Sequence, residues 1–316
     1  MVWRCAVISF LCLAQNFSSA LAKAPVENSE QIETVEEAME TPGPTPANKS
    51  KARESEHTIS VGSTKSNPSP PDGLSIAKLP SQLDSRSTSL PTAKNFLVAI
   101  DIGHTKNRSG AVSARGVSEY VFNERLSREL FDSLQAGRQF RSLLINPSGG
   151  DIGLVKRAQV ANRRDANVFI AIHHDSVKDS FLKEWQFGDR AEKYCDDFHG
   201  FSIFLSRKNV AADASKTFAM QLGEALIKAG FTPTLHHVAQ EHRPIIDPAK
   251  GVYAFDDLLV LKSAKMPAVL LECGVIVNRN EEQDLNSHAY RARMIAAIES
   301  AISNFAATQP GAAGTN

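Results

Sequence analysis

The sequence predicts an α/β fold: a single domain with a mostly parallel twisted sheet covered by helices on both faces, preceded by a disordered tether. Two observations predict this class. Solid apolar runs such as Leu97–Ile100 and Val168–Ile172 are typical of strands that are buried on both faces, as parallel strands are. The stretches between these runs are amphipathic at helical spacing, and strands that alternate with helices build parallel sheets.

The first half of the domain is predicted to hold three strands and two helices. Ser118 can cap the first helix, because a serine side chain accepts hydrogen bonds from the free N–H groups of a helix start. The second helix has a small-residue face at Ala158 and Ala161. In chain order the elements are a strand leading to His104, a helix with the stripe Phe122, Leu126, Leu130 and Leu134, a strand over Arg141–Asn146, a helix over Leu154–Asp165 and a strand ending on His173.

The second half is predicted to hold two further strands and two helices. Gly230 should end the third helix, since glycine readily takes the left-handed conformation that follows a helix. In chain order the elements are a strand over Phe201–Ser206, a helix over Asp213–Ala229, a strand from Ala268 to Glu272 and a last helix with Ile295, Ile298, Ile302 and Phe305 on its buried side.

The chain outside the folded domain is predicted from composition. Residues 1–22 have the pattern of an export signal, in which Arg4 precedes an apolar run and Ala20-Leu21-Ala22 forms a small-residue cleavage site. An uncleaved membrane anchor is the alternative. Residues 23–94 hold nine of the fifteen prolines and no Phe, Tyr or Trp, which predicts a disordered linker. We place the folded domain at residues 95–307 and a flexible tail at 308–316.

Charge and cysteine content limit the partners. Lys+Arg and Asp+Glu number 35 each, so no strong field favours nucleic acid, and we expect neither nucleic-acid binding nor stable membrane insertion after signal cleavage. Cys5 and Cys12 would leave with the signal. Cys195 and Cys273 either pair as a disulfide in an oxidising compartment or pack as small core residues.

Three apolar strands lead into residues that handle metals or protons: His104, His173 and Glu272. In open α/β sheets the ligand site lies beyond the carboxyl ends of the strands. A catalytic zinc uses three nitrogen or oxygen ligands and a water, so Glu119 can complete the set and Glu272 can act as a base on the water. The spacing alone also fits polar strand ends satisfied by hydrogen bonds, and both interpretations stay open.

Several short motifs follow one another in the order typical of one family. They are Asp101-Ile102-Gly103-His104, Gly116 followed by Glu119 and Asn123, Ala166–His173, Gly200-Phe201-Ser202-Ile203, and Met266–Gly274 followed by Asn278. With these motifs the folded domain resembles, nearly end to end, the zinc-dependent N-acetylmuramoyl-L-alanine amidases of the bacterial cell wall. The resemblance is to the catalytic domain of the periplasmic cell-separation amidases.

The resemblance implies that His104, Glu119 and His173 bind Zn²⁺ and that Glu272 is the catalytic general base and acid. Glu124 is a rival carboxylate ligand, although Glu119 fits the family spacing better. The implied reaction is hydrolysis of the amide between N-acetylmuramic acid and L-alanine in peptidoglycan, by metal-activated water. The resemblance further implies a periplasmic location and allows an activator protein as a partner.

Some residues depart from the family pattern. Ile102 and Thr105-Lys106 replace a usual proline and glycine pair, and His174 replaces a small residue. Successive strand residues point to opposite sides, so we expect His174 to line the groove or to be hydrogen-bonded at the surface. Residues 177–199 and 232–250 are longer than usual and are either surface insertions or groove walls. The alternatives are therefore a zinc hydrolase of soluble muropeptides or another amide, and a non-catalytic wall-binding protein.

Overall fold

A computed structural model describes residues 95–238 and 243–309. The predicted signal peptide (1–22) and linker (23–94) lie outside the described residues, as do His242 and all but the first two residues of the predicted tail (308–316). Within the described ranges, no helix is long and apolar enough to cross a membrane.

The domain is built on a seven-stranded sheet and a separate two-stranded hairpin. The strands are β1 (Leu97–Ile102), β2 (Arg141–Ile145), β3 (Val168–Asp175), β4 (Lys183–Phe187), β5 (Arg190–Tyr194), β6 (Ser202–Leu205), β7 (Ile245–Asp247), β8 (Val252–Ala254) and β9 (Ala268–Val275). The order in the sheet is β2-β1-β3-β9-β6-β8-β7, and β4 pairs with β5.

Strands β2, β1, β3 and β9 are neighbours and run parallel to one another. On the other side of β9, strand β6 runs antiparallel to it, β8 is parallel to β6, and β7 is antiparallel to β8. The mostly parallel sheet predicted from the apolar runs is confirmed. Adjacency of β1, β3 and β9 brings the three polar strand ends of the sequence to one edge.

Helices cover both faces of the sheet, as predicted. They are α1 (Glu119–Gly137), α2 (Leu154–Asn162), α3 (Ala212–Lys228), α4 (Leu259–Lys262), α5 (Glu281–Asn286) and α6 (His288–Thr308). The buried side chains of α1, α3 and α6 form one core cluster against the sheet. Those of α2 and α4 form a second cluster against its other face. Each side of the sheet therefore has its own apolar core.

The predicted helices are present and use the expected residues. The stripe on α1 is buried throughout: Phe122, Leu126, Leu130 and Leu134. Ser118 occupies the cap position but makes no side-chain capping hydrogen bond. Gly230 follows α3 with a φ of 84°, the left-handed conformation expected of a glycine that ends a helix. Cys195 and Cys273 are both free buried thiols, so the packing alternative holds and the disulfide does not.

Two strands continue past the residues at which the sequence places their ends. Strand β9 runs on from Glu272 to Val275, and β3 runs on from His173 to Asp175, where it pairs with Val275 across a register shift. The N–H of Val275 donates to the Glu281 carboxylate at 2.8 Å, which secures this end of β9. Glu272 therefore lies inside a strand.

The two long stretches contain strands. Residues 177–199 contain the β4–β5 hairpin, and residues 232–250 contain β7. Trp185 of the hairpin donates from Nε1 to the carbonyl of Ala114 at 2.8 Å. Arg279 lies over the ring of Tyr194, 3.8 Å from its centroid. The hairpin thus packs on the loop that precedes α1.

Candidate active site

Three neighbouring strands place the polar residues at one edge of the sheet. Ile102 of β1 is in register with Ile172 of β3, and His173 of β3 is in register with Glu272 of β9. His104 follows β1 by two residues. Because the strands are parallel, their carboxyl ends project the two imidazoles and the carboxylate into the same region.

His104, Glu119 and His173 form a group that could hold a metal ion, with one ligand atom of each within 4.8 Å of the others. Glu119 is the first residue of α1, so the helix start delivers its carboxylate to the strand edge. Oε2 of Glu119 lies 3.0 Å from Nε2 of His104, and Oε1 lies 3.1 Å from Nδ1 of His173. The rival Glu124 instead pairs with Arg128 at 2.9 Å on the surface of the helix.

Glycines keep space open around this group. A Cβ atom added at Gly103 would lie 2.5 Å from Nε2 of His173. A Cβ atom added at Gly110, whose φ is 75°, would lie 2.8 Å from Nε2 of His104 and would also collide with the Glu119 carboxylate. The backbone therefore approaches the three donors at two points where any side chain would fill the space between them.

The chemistry of the donor set fits zinc. Two imidazoles and one carboxylate are among the ligand sets of catalytic zinc sites. Burial opposes ionisation of Glu119, but the charges and hydrogen bonds of His104 and His173 hold its pKa well below the usual range. Burial lowers the pKa of His173, which favours the neutral imidazole that a metal requires.

A second layer of hydrogen bonds orients the donors. Asn123 lies one helical turn after Glu119, and its Nδ2 donates to Glu119 Oε1 at 3.0 Å and to the carbonyl of Gly103 at 3.2 Å. Its Oδ1 accepts a hydrogen bond from Nδ1 of His174 at 2.7 Å. Such partners fix the orientation of metal ligands and tune their affinity.

The placement of His174 corrects the sequence-based expectation. It is hydrogen-bonded, but it is buried rather than at the surface or in the groove, and its ring packs 5.5 Å from the Phe122 ring. Burial lowers its pKa to about 3, so this imidazole is neutral. Successive strand residues face opposite sides of the sheet, so His174 faces away from His173, toward the side of β3 that α1 covers. There it supports Glu119 indirectly, through its hydrogen bond to Asn123.

Arg157 of α2 is a further positioning residue, which the sequence analysis did not single out. It is buried and forms an ion pair with Asp101 at 2.9 Å. It also donates to the carbonyls of Ile102 at 2.5 Å and His104 at 2.6 Å. His104 has a φ of 64°, a left-handed conformation that costs free energy in a residue other than glycine. Arg157 thus holds the strained backbone that carries the first imidazole.

We predict that Arg157→Met lowers the free energy of unfolding by about 3–5 kcal/mol, because it leaves Asp101 buried without its cation. Burial already raises the pKa of Asp101, and the charge and hydrogen bond of Arg157 are the largest influences that lower it. The loss of stability should therefore shrink as pH falls and Asp101 becomes neutral. Urea unfolding across pH measures this. The control Arg128→Met removes an exposed pair and should change stability by less than about 1 kcal/mol.

Glu272 is a buried acid without an ordinary partner. It is 3% exposed, and its Oε2 has no hydrogen bond from any described residue. Burial raises its pKa well above the usual range, the charges of Asp175 and Glu119 raise it further, and Arg243 lowers it. A carboxyl in this setting takes up a proton readily and is suited to general base and acid chemistry.

A second cluster of polar residues lies next to Glu272. Asp175 at the end of β3 faces His237, whose Nε2 is 2.6 Å from Oδ2 of Asp175, and His236, whose Nε2 is 3.3 Å away. The two imidazoles come from residues 232–250, so part of that stretch does stand over the strand edge. Burial raises the pKa of Asp175, but the charges of both imidazoles and the hydrogen bond from His237 hold it far below its usual range.

Comparison with known proteins places these observations in one family. The family model of N-acetylmuramoyl-L-alanine amidase (Amidase_3) matches residues 98–304. The probable N-acetylmuramoyl-L-alanine amidase AmiB of Haemophilus influenzae is 28% identical over 221 residues, which are 64% of this chain and 50% of that protein. The chain thus spans about half the length of that relative. The amidase AmiA of Escherichia coli is 26% identical over 250 residues, 70% of this chain and 81% of the relative.

A solved structure shows the same fold. The catalytic domain of CwlV, an amidase from Bacillus (Paenibacillus) polymyxa var. colistinus, superposes with a TM-score of 0.52 at 25% identity over 68% of this chain and 99% of that domain. The architecture is that of the cell-wall amidases. The chain belongs to the Amidase_3 family of N-acetylmuramoyl-L-alanine amidases, and the family resemblance stated from the motifs is confirmed.

Proposed function

We propose that this protein is a zinc-dependent N-acetylmuramoyl-L-alanine amidase, which hydrolyses the amide between N-acetylmuramic acid and L-alanine in peptidoglycan. The observation that carries the proposal is the His104, Glu119 and His173 group beside the unpartnered carboxyl of Glu272 in an Amidase_3 domain. All four residues expected from the motifs are present at one strand edge. A non-catalytic protein on this scaffold would have no need to keep them together.

His104, Glu119 and His173 would hold the zinc. When bound, zinc polarises the amide carbonyl and acidifies the attacking water. Asn123 keeps the Glu119 carboxylate turned toward the histidines, and Arg157 keeps the His104 backbone in place. The two glycines at 103 and 110 leave the room that the substrate carbonyl and a water need.

Glu272 would move the proton. Its Oε2 accepts a proton from the attacking water and then donates it to the amide nitrogen as the C–N bond breaks, so L-alanine leaves as an amine. Burial and two neighbouring carboxylates favour the protonated form between these steps. One carboxyl thus serves as base and then as acid.

Location and partners follow from the substrate. Peptidoglycan lies outside the cytoplasm, and the signal-like pattern of residues 1–22 supports export to the periplasm, with residues 23–94 as a linker to the domain at 95–307. The activator protein allowed by the family resemblance stays a prediction. N-terminal sequencing of the mature protein from the periplasm tests the cleavage site after Ala22.

Digestion of intact sacculi and of soluble muropeptides by the purified protein tests the substrate. We expect both to release peptides with a free L-alanine amino group, and the sacculi to lose turbidity. Cleavage of soluble muropeptides without any action on sacculi would instead favour the alternative of a muropeptide hydrolase. Binding to sacculi without release of peptide from either substrate would contradict the amidase proposal.

A further inference from the structure

Arg243 lies beside the proposed active site, where its charge lowers the pKa of Glu272, but no contact with the substrate has yet been assigned to it. Its guanidinium stands 5.3 Å from the ring centroid of Phe204 and 4.9 Å from that of Phe255. Phe204 on β6 is in register with Leu270 on β9, two residues before Glu272. Residues two apart on a strand face the same side, so Arg243 covers the face of the sheet that presents Glu272.

The hydrogen bond between Arg243 and His237 fixes the imidazole tautomer. Nη1 of Arg243 lies 3.2 Å from Nδ1 of His237. A guanidinium only donates hydrogen bonds, so Nδ1 must accept, and the ring proton of neutral His237 is on Nε2. That Nε2 donates to Oδ2 of Asp175 at 2.6 Å. The chain of bonds therefore runs from Arg243 through His237 to Asp175.

This tautomer decides what the second polar cluster can do. Asp175, His236 and His237 are close enough to hold a metal ion. However, a metal on Nε2 of His237 would need the lone pair that the proton occupies. The proton would then have to move to Nδ1, where the N–H of His237 would face the N–H of Arg243 with no acceptor between them. The cluster is therefore a support for the guanidinium rather than a metal site. Asp175, itself bonded at Oδ1 by the N–H of Ser176, anchors it to β3.

The supported guanidinium keeps most of its donors. Within residues 95–238 and 243–309, His237 is its one hydrogen-bond acceptor, and none of its nitrogens is among the buried polar atoms without a partner. Its remaining N–H groups have no acceptor among the described residues and can therefore bind a ligand. A fork of parallel N–H groups matches a carboxylate in shape and charge, and two aromatic rings beneath keep the fork in one plane.

We propose that Arg243 binds a carboxylate of the stem peptide and so makes the enzyme selective for anionic peptides. The inference rests on the proposed amidase function and deepens it, since the stem peptide is the part of the substrate that leaves from the Glu272 side. Asp175 and His237 are then positioning residues for Arg243. Because the neutral imidazole of His237 lies between Asp175 and Arg243, Asp175 does not pair directly with the parallel N–H groups of the guanidinium.

Two muropeptides test the proposal: one with its stem carboxylates free, and the same one with every stem carboxylate converted to a carboxamide. We expect the wild-type protein to cleave the free form with a kcat/KM roughly 10- to 100-fold higher, the range for hydrogen bonds to charged groups. Arg243→Gln should cleave both forms at the low rate of the amidated one. Arg243→Lys, which keeps the charge without the fork, should retain part of the preference and guards against misfolding of the glutamine variant.

The matched control is Arg207→Gln, because Arg207 is an exposed arginine that follows β6 and is already paired with Asp256 at 2.6 Å. It should keep the full preference. A wild-type preference that survives in Arg243→Gln would overturn the assignment of Arg243 while leaving the amidase function intact. An equal loss on both muropeptides would also overturn it, since that pattern indicates a role at the reacting carbonyl. Cleavage of neither form by the wild-type protein would overturn both proposals.

Discussion

Glu272→Gln is expected to lower kcat/KM by about 10²- to 10⁴-fold, the usual contribution of a general base or acid, while the bound zinc is retained. Glutamine has nearly the same shape but cannot take up the proton. The carboxyl is not one of the three proposed ligands, so metal content should not change. Steady-state kinetics on a soluble muropeptide, together with elemental analysis of the purified variant, measure both effects.

The stability of the same variant should also differ from that of the wild-type protein, in a way that depends on pH. In the folded protein the pKa of Glu272 is raised by burial and by the charges of Asp175 and Glu119. The folded state therefore binds this proton more tightly than the unfolded chain, and stability is lost as pH rises above the ordinary glutamate pKa of about 4.3. Stripped of metal, Glu272→Gln should be at least as stable as the wild-type protein at pH 7. The difference in the free energy of unfolding between the two proteins should narrow below about pH 4, where Glu272 is protonated in both the folded and the unfolded state.

An exposed acid gives the control for Glu272. Glu224 lies on the surface of α3 and pairs with Lys228 at 2.8 Å, so Glu224→Gln should keep wild-type activity within about twofold. Near-normal hydrolysis by Glu272→Gln would refute its role as the base. Loss of zinc in that variant would instead show that the carboxyl is a ligand, and the open position for substrate would have to be sought elsewhere.

Glu119→Gln is expected to remove both zinc and activity. The carboxylate lies between the two histidines at 3.0 and 3.1 Å, and its charge is what lets this buried group attract a cation. The fall in zinc affinity should exceed the roughly 10- to 100-fold loss caused by removing an outer partner of a metal ligand. Competition with a chromogenic chelator measures the affinity.

The rival acid provides the matched control. Glu124 is on the same helix and pairs with Arg128 in solvent, so Glu124→Gln should leave zinc affinity and activity unchanged. Excess zinc should partly restore Glu119→Gln, since the two imidazoles remain. Zinc binding that is lost in Glu124→Gln but kept in Glu119→Gln would contradict the ligand set.

Much of the fold could be predicted because its signals are local. The stripe from Phe122 to Leu134 and the stop at Gly230 depend on neighbouring residues alone, and both appear as expected. The end of β9 could not be predicted in this way, because Cys273-Gly274 looks like a turn. The strand continues because Glu281, six residues past Val275, accepts its N–H.

One missed element did have a local signal. Before Gly188-Asp189, polar and aromatic residues alternate over Glu184–Phe187, and a Gly-Asp pair between two short segments is typical of a two-residue hairpin turn. Gly188 has a φ of 58°, as such a turn requires. From the sequence, residues 177–199 were expected to be a surface insertion or a groove wall, and the β4–β5 pair was not predicted.

The three proposed zinc ligands lie at strand and helix ends, and Glu272 ends the apolar run of β9, which is why the sequence could group the four residues. The residues that support them could not be grouped in this way. Arg157 reaches His104 across 53 residues of chain, and Arg243 joins Asp175 only through His237. The burial of His174 was not predicted for the same reason, since only the packing of α1 on β3 shows that this side of the strand is covered. Contacts between residues so far apart in the chain cannot be predicted from residue spacing.

Mass spectrometry of the products from purified peptidoglycan, with zinc removed by a chelator and then restored, tests the central claim most directly. The account predicts intact glycan strands and stem peptides with a free L-alanine amino group, formed only when zinc is present. Cleavage at another bond, or release of the same peptides at an unchanged rate after zinc removal, would contradict it.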